Sequence, residues 1–583
     1  MTEAIQSPAI TEDEIEGIEC KHVCYTKGNP FDRGAVPDDL VVIKEVVHLK
    51  DGRRIPRVRM KKNFRRPFYI TKPGYQNHEE KKEWEDINKL DRFECTQAEL
   101  ETHIKRALNI RSPVFGLRKI SRSPYLYGSD ITSTAIVKRH YMERFPDCVS
   151  ENGVAVLDIE TETNDPNDMG DPIYVAVTFK DKAVLAVTDR FLDRCKGWNL
   201  SNDQFPQAMK EYFETRLPEL VKDRKIDLEV IHTPTPLGAI QHVIGRCHEW
   251  MPDFLSIWNI NFDIPKILAA IERWGGNADD IFSDPSVPVE FRKIRWKEGP
   301  AKKIAAGGRE EALHWVDRWH TLYCPASFWV VDQAAVFRKL RMANGRESSY
   351  ALDAILRKYA GTQKLKNEKA DTLGGLEWHQ YMQMNEPLEY GVYNLYDCIS
   401  CELLDENPKV GDLRQSISMQ CGHSDYDKFP SQPRRTVDDL HFECLKLKKV
   451  IASTSDTLKT EFDTMTVSIR NWISTLPAHL VIDNGLNLIE EVPDLKTLIR
   501  VAVYDLDVTA AYPNGESILN CSKATTIAEV VKIKGVDEHN QRVASLNLTG
   551  GATNALEIMC SICKAPTFDE LLADFEKNEL EEA

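Results

Sequence analysis

Apolar and polar positions along this chain alternate in ways that predict its strands and helices. Residues 41–71 alternate around Asp51-Gly52, which predicts a β-hairpin. Residues 154–161 form an apolar run interrupted by acids, which predicts a buried strand, and residues 173–189 predict a second hairpin. A further short strand is predicted over 254–259. Four helices are predicted over 239–250, 263–274, 350–361 and 386–404.

Three other segments carry weaker patterns. The first forty or so residues show no clear periodicity, the charge-rich residues 76–112 are predicted to be helical, and the polar stretch 421–436 is predicted to be a linker or loop. After residue 150, the succession of strand, hairpin, helix, strand and helix predicts a mixed α/β layout. In such a layout the helices pack on a central sheet.

The composition fits a globular protein with several cores. Its 583 residues predict about three or four domains. Contents of 42% hydrophobic and 28% charged residues are ordinary for that class. We find no run of about 18 apolar residues and no apolar leader in the acidic N-terminus. We therefore expect no membrane association and a protein that stays in the cytoplasm where it is made.

The 14 cysteines are scattered, which argues against a disulfide framework. The pairs Cys20/Cys24 and Cys560/Cys563 each lack a second pair at the spacing of a structural zinc site. Ordinary thiols are the expectation for both pairs.

The charge distribution leaves room for a nucleic-acid partner. A net charge of −16 argues against such a partner only weakly, because a binding site needs a local basic groove and not a positive net charge on the whole protein. The second strand of the hairpin at 41–71 is rich in basic residues, among them Arg57, Arg59 and Lys61, and two aromatic residues follow it. Basic groups interleaved with aromatic rings suit a nucleic-acid surface. A solvated strand face is the alternative interpretation.

Four acids and a tyrosine form the first candidate site. Asp158 and Glu160 lie two apart on a predicted strand and therefore share a face, where a Mg²⁺ or Mn²⁺ ion would relieve their repulsion. Asp263 follows an apolar strand and opens a helix, a position that also suits helix capping. Tyr393 and Asp397 lie at i, i+4 on a predicted helix and share its face. Each pattern alone is common, and an exposed pair of acids is the ordinary alternative for the first.

In this order the patterns form the motif trio of 3′→5′ proofreading exonucleases. The motifs are D-x-E on a strand, N-x-x-F-D opening a helix (Asn259 and Phe262 with Asp263), and Y-x-x-x-D on a helix. Here the chain resembles the family B DNA polymerases, most closely those of the T-even bacteriophages. The resemblance implies that Asp158, Glu160, Asp263 and Asp397 bind two metal ions about 4 Å apart. It also implies that Tyr393 orients the attacking water, that Asn259 contacts the DNA strand or fixes the site, and that Phe262 either stacks on a base or joins the core.

A second motif resembles half of a polymerase site. The segment from Asp507 to Asn514 is similar to the family B motif D-x-x-S-L-Y-P-S, with Ala510-Ala511 in place of Ser-Leu. The resemblance implies that Asp507 binds a catalytic metal and that Tyr512 packs under the incoming sugar and excludes ribonucleotides. The family's K-x-x-x-N-S-x-Y-G and D-T-D-S motifs are not found in residues 515–583. Because nucleotidyl transfer needs both aspartates, we expect polymerisation only with a complementing C-terminal polypeptide.

The resemblance implies a multi-domain mixed α/β fold with four parts. These are an N-terminal α+β, RNA-binding-like domain at 1–149, a ribonuclease H-like exonuclease domain at 150–410, a linker or return segment at 411–480, and a partial palm at 481–583.

The expected function is that of a polymerase subunit with proofreading activity, working in DNA replication in the cytoplasm of an infected bacterial host. Its expected partners are a DNA primer–template, deoxynucleoside triphosphates and the C-terminal polypeptide, with a sliding clamp reached through that polypeptide. Two alternatives stay open: a standalone exonuclease with a vestigial palm, and a non-enzymatic nucleic-acid binder or translational repressor that binds RNA.

Overall fold

The structure of the protein is a computed structural model, and it describes residues 11–28, 37–79, 81–111, 115–304, 310–368, 372–456, 526–532 and 543–550. The chain divides into two compact units, Met1–Trp472 and Ile473–Ala583.

Two small antiparallel sheets build the N-terminal part. The strands described there are β1 (Ile15–Lys27), β2 (Asp39–Leu49), β3 (Arg54–Lys62), β4 (Arg66–Thr71), β5 (Trp84–Asp86), β6 (Leu90–Cys95) and β7 (Leu126–Tyr127). The helices are α1 (Leu100–Ala107), α2 (Leu117–Ile120) and α3 (Ser133–Arg144). One sheet has the order β1-β2-β3 and the other has the order β6-β4-β7. The predicted hairpin is confirmed for β2 and β3, and Gly52 in its turn has a positive φ of 87°, which glycine adopts without strain. The end of the predicted segment is instead β4, a strand of the other sheet.

In this part, a segment without clear periodicity proves to be ordered, and one expectation is wrong. The first forty residues contain the 13-residue strand β1, which pairs along its whole length with β2. In the part of 76–112 that the structure describes, α1 is the only α-helix, and β5 and β6, joined by a short 3-10 turn at Ile87–Lys89, occupy the middle. The charges that suggested a helix are exposed on β6, whereas its ends Leu90 and Cys95 are buried. Short edge strands of this kind alternate too briefly to be distinguished from a polar helix.

A six-stranded mixed sheet forms the centre of the first unit. The strands described over residues 154–332 are β8 (Val154–Thr161), β9 (Pro172–Phe179), β10 (Lys182–Thr188), β11 (Asp227–Thr233), β12 (Phe254–Ile257), β13 (Arg295–Lys297), β14 (Lys302–Ile304), β15 (Glu310–Ala312), β16 (Thr321–Tyr323) and β17 (Trp329–Asp332). Six of them form the sheet, while β13 pairs with β16 and β14 pairs with β15. The sheet order is β11-β10-β9-β8-β12-β17. β9 is antiparallel to both β8 and β10, while β12 is parallel to β8 and to β17. The predicted strand at 154–161 and the predicted hairpin at 173–189 are thereby confirmed.

Helices cover both faces of this sheet. They are α4 (Asp189–Leu192), α5 (Phe205–Arg216), α6 (Pro218–Arg224), α7 (Pro236–Trp250), α8 (Ile260–Arg273), α9 (Ala278–Phe282), α10 (Gln333–Leu340), α11 (Leu352–Ile355), α12 (Gly375–Asn385) and α13 (Pro387–Glu406). Because side chains alternate along β8, Val156 packs in the core beneath α13 and Leu157 packs in the opposite core beneath α7 and α8. The expectation of a mixed α/β fold with several sheets is confirmed.

The chain returns to its N-terminal part after α13. The elements described there are α14 (Ile417–Cys421), α15 (Gln432–Lys446) and β18 (Lys449–Ile451). β18 pairs with β5, and Ser129 bonds to Ser453. The expectation of a linker or loop over 421–436 is wrong from Gln432, where α15 begins. Between α14 and α15 the chain is irregular apart from a short turn at Tyr426–Lys428, and the ring of Tyr426 is buried against that of Phe254, 4.9 Å away between centroids.

In the second unit the structure describes one antiparallel pair, β19 (Thr526–Lys532) with β20 (Val543–Gly550). Among the described residues of the chain, no helix is both long enough and apolar enough to cross a membrane.

Candidate active site

The central strand β8 presents two acids to one side of the sheet. Asp158 and Glu160 lie opposite Ala176 and Tyr174 of β9 and share their face with Val156. That face is covered by α13, so both carboxylates point towards this helix. The alternation of the strand therefore sets the acids where a helix can bring a third one.

Helix α13 supplies that third acid. Oxygen atoms of Asp158, Glu160 and Asp397 all lie within 4.8 Å of one another. The same helix fixes Asp158, because Asn394, which is fully buried, donates a hydrogen bond of 2.7 Å from Nδ2 to Oδ2 of Asp158. Three of the four predicted metal ligands are thus brought into one cluster.

The fourth predicted ligand, Asp263, lies beside this cluster. It sits in the first turn of α8 and is buried, lining the same cavity as the three clustered acids. Helix α8 begins at Ile260, and its N-cap residue is Asn259, which makes no side-chain capping bond. Asp263 lies inside the helix and is not the capping residue. The capping interpretation of Asp263 is therefore not supported. Burial, together with the charges of Asp158 and Glu160, raises the pKa of Asp263 well above its usual value.

One cation lies among these acids, and the sequence patterns did not single it out. Lys364 donates a hydrogen bond of 2.8 Å from Nζ to the hydroxyl oxygen of Tyr393 and forms a hydrogen-bonded ion pair with Oδ2 of Asp397. Its own backbone N–H donates to Asp353, 2.9 Å away. The residue lies in the irregular segment between α11 and α12, where no periodicity marks it.

Tyr393 is held as a protonated phenol. Burial and the charge of Asp397 raise the pKa of its hydroxyl well above the usual value, although Lys364 opposes this. A tyrosine in that state can donate a hydrogen bond to a water but is a poor general base at neutral pH. This agrees with the orienting role that the family resemblance implies.

The acid cluster suits hard divalent cations. Burial, then the charge of Asp397, raises the pKa of Asp158 to about 7, and burial also raises the pKa of Glu160 and Asp397. One lysine does not neutralise four carboxyl groups, and Oδ1 of Asp397 is buried without a hydrogen-bond partner. Carboxylate oxygens are the ligands that Mg²⁺ and Mn²⁺ prefer. The donor set therefore fits the expected metal, at least for Asp158, Glu160 and Asp397.

The acids lie in a cavity of 760 Å³ with an apolar rim. Asn259 and Phe262 both line it, as do Met169 and Leu376. Phe262 is 49% exposed, so it does not belong to the core, and its ring is accessible from the cavity.

Part of the basic charge on strand β3 pairs with an acid of the same protein. Arg57 forms an ion pair of 2.6 Å with Glu45, and Arg59 lies 3.7 Å from the same carboxylate. Glu45 is fully buried and also accepts a hydrogen bond from Tyr141. The ammonium of Lys61 lies 5.8 Å from the centre of the Phe64 ring. Arg57 and Arg59 therefore compensate a buried charge, so fewer basic side chains of β3 are available to contact nucleic acid.

We expect Arg57→Ala to lower the free energy of unfolding by about 1–2 kcal/mol, since it removes a charge-assisted bond to a buried carboxylate. Urea unfolding followed by circular dichroism measures the change. Arg53→Ala is the matched control, because Arg53 pairs with Asp51 in the solvent, and about 0.5 kcal/mol or less is expected there. Equal effects of the two changes would contradict the structural role of Arg57.

The remaining predicted residues, Asp507 and Tyr512, lie outside the described residues, as do Cys560 and Cys563. Cys20 and Cys24 are buried thiols on β1. No protein-family model matches this chain, and no curated protein matches it either.

Proposed function

We propose that this chain is a metal-dependent 3′→5′ exonuclease that shortens DNA, acting as the proofreading part of a family B polymerase. The observation that carries the proposal is the convergence of all three motifs on one cavity. Asp158 and Glu160 come from β8, Asp263 from α8, and Tyr393 and Asp397 from α13. Residues up to 239 positions apart in sequence meet there, which chance matches to short motifs would not produce.

The topology of the sheet supports a ribonuclease H-like fold for the proposed exonuclease domain. In the order β10-β9-β8-β12-β17 only β9 runs against the others. The D-x-E motif lies on β8, the central strand of these five.

The side chains of the site would have different roles in the proposed reaction. Two bound divalent cations would supply an activated water and neutralise charge on the scissile phosphate. Asp158, Glu160 and Asp397 would hold them, with Asp263 facing from α8. Tyr393 would orient the water by donating a hydrogen bond from its hydroxyl, and Lys364 fixes both Tyr393 and Asp397. Phe262 offers its exposed ring to the terminal base, which favours a frayed, single-stranded 3′ end.

The test is a 5′-labelled single-stranded oligonucleotide incubated with this chain and Mg²⁺. A ladder of products that shorten from the 3′ end, abolished by a chelator, is the expected result. A 3′-terminal phosphorothioate linkage should slow the ladder. Shortening that persists in the chelator, or cleavage that starts internally, would refute the proposal.

We further propose that the chain acts in DNA replication, in the cytoplasm of an infected bacterial host, and extends primers only together with a polypeptide that supplies the missing polymerase motifs. Asp507 and Tyr512 would then complete a joint polymerase site. Asp507→Ala should leave the shortening of a primer unchanged and abolish extension by the reconstituted pair in the presence of deoxynucleoside triphosphates. Normal extension by that variant would remove Asp507 from the polymerase site.

A further inference from the structure

A second tyrosine of α13 bonds to the acid cluster. Tyr390 is fully buried one turn before Tyr393, and its ring is nearly parallel to that of Tyr393, with centroids 6.1 Å apart. Its hydroxyl forms a hydrogen bond with Oε2 of Glu160. The motif that identifies Tyr393 and Asp397 does not include this residue.

The direction of the bonds around the Tyr390 hydroxyl follows from chemistry. Ionised Glu160 can only accept, so the phenolic proton points to its carboxylate. Nδ1 of His379, 2.8 Å from the same hydroxyl oxygen, must then carry its own proton and donate. Nε2 of Gln383 also donates to that oxygen, at 3.4 Å. Two donors on α12 therefore orient the hydroxyl towards Glu160.

Gln383 also holds the chain that follows Glu160. This side chain is fully buried on α12. Its Oε1 accepts from the backbone N–H of Thr163 at 3.1 Å and from Nδ2 of Asn164 at 3.2 Å, while its Nε2 donates to the carbonyl of Thr161 at 2.8 Å. A backbone N–H can only donate and a carbonyl can only accept, so the orientation of the amide is fixed. One amide thus ties α12 to the end of β8 and to the Tyr390 hydroxyl.

We propose that Gln383 and Tyr390 are positioning residues that hold the Glu160 carboxylate and residues 161–164 in the geometry that binds a divalent cation. The proposal rests on the exonuclease function proposed above and deepens it. Neither side chain would be a metal ligand: the Tyr390 ring lines the cavity, but its hydroxyl bonds to Glu160. Carboxylates that bind metals are themselves held by hydrogen bonds, and loss of such a partner typically weakens metal affinity or activity about 10- to 100-fold.

Tyr390→Phe is the sharpest variant. It keeps the ring that packs against Trp378 and Tyr393 and removes only the hydroxyl. We expect the Kd of Mn²⁺, measured without DNA by electron paramagnetic resonance, to rise about tenfold. The Mg²⁺ concentration for half-maximal nuclease activity should rise in parallel, while the rate at saturating Mg²⁺ stays within about threefold of the wild type, because the metal-bound geometry is unchanged once metal is supplied.

Gln383→Met is the second variant, and it should weaken Mn²⁺ binding by a similar factor. If both residues act through the same bond to Glu160, the double variant should lose little more than the larger single effect. Tyr426→Phe is the matched control, since Tyr426 is another buried tyrosine, bonded to Ser418 and to the carbonyl of Lys21, and does not line the cavity of the acids. Its Mn²⁺ affinity should equal that of the wild type.

The outcomes separate the two proposals. Wild-type Mn²⁺ affinity in both Tyr390→Phe and Gln383→Met would overturn the positioning roles and leave the exonuclease intact. Additive losses in the double variant would overturn the shared route through Glu160. If Asp158→Ala binds Mn²⁺ as tightly as the wild type, the metal site itself would be overturned.

Discussion

Asp158→Ala is expected to lower the rate of 3′ shortening at least about 1,000-fold, because a lost metal ligand removes several kcal/mol of transition-state stabilisation. Asp158 is the residue best placed for this test, since it belongs to the three-carboxylate cluster and lies on the central strand of a rigid sheet. Single-turnover kinetics on a 5′-labelled strand measures the loss.

The fold of this variant should be unaffected. Burial and Asp397 raise the pKa of Asp158 to about 7, so the carboxyl is held in an unfavourable environment and its removal relieves repulsion. The melting temperature in a chelator should change little, because the lost hydrogen bond from the buried Asn394 offsets this relief. Glu229→Ala is the matched control, because Glu229 is an acid of the same sheet that pairs with Arg246 at 2.8 Å. Metal-dependent activity retained by Asp158→Ala, at the level of the control, would refute the site.

Lys364→Met should produce the second large effect, a loss of about 100-fold at pH 7, comparable to the removal of one fixed electrostatic donor from an active site. Lys364 lowers the pKa of Asp158, Glu160, Asp263 and Asp397. Its removal raises those pKa values further, so more of the carboxyl groups hold protons at neutral pH. Because metal ligands must be deprotonated, the acid limb of the pH–rate profile should move to higher pH.

A pH–rate profile at fixed Mg²⁺ measures this shift, and activity should recover in part towards alkaline pH. Lys366→Met is the matched control, since Lys366 lies two residues away in the same segment and is exposed. An unshifted acid limb with a uniformly lower rate would show that Lys364 acts on the substrate rather than on the carboxyl groups.

The sequence predicted the parts of the site that depend on local periodicity. Period two on β8 placed Asp158 and Glu160 on one face, and the i, i+4 spacing on α13 placed Tyr393 beside Asp397. That all of them meet Asp263 in one cavity followed only from the family resemblance, because no local rule sets which face of α13 covers β8.

Lys364 and Gln383 were missed for a related reason. Lys364 lies in an irregular segment, and Gln383 reaches partners 220 residues earlier in the chain. Neither long-range contacts nor loop conformation leave a periodic signal. The pairing of Arg57 with Glu45 likewise depends on the register of β2 with β3, so the basic strand looked more available in the sequence than it is in the structure.

The pairing of β18 with β5 has a consequence for how the protein folds during synthesis. Ser129 bonds to Ser453, a partner 324 residues further along, and the strands of the central sheet lie between them. On a ribosome, residues 154–332 emerge before β18 does, so the central sheet can close while the N-terminal part still lacks a strand. The N-terminal part, although made first, would then be completed after the central sheet, because its long-range contacts close slowly.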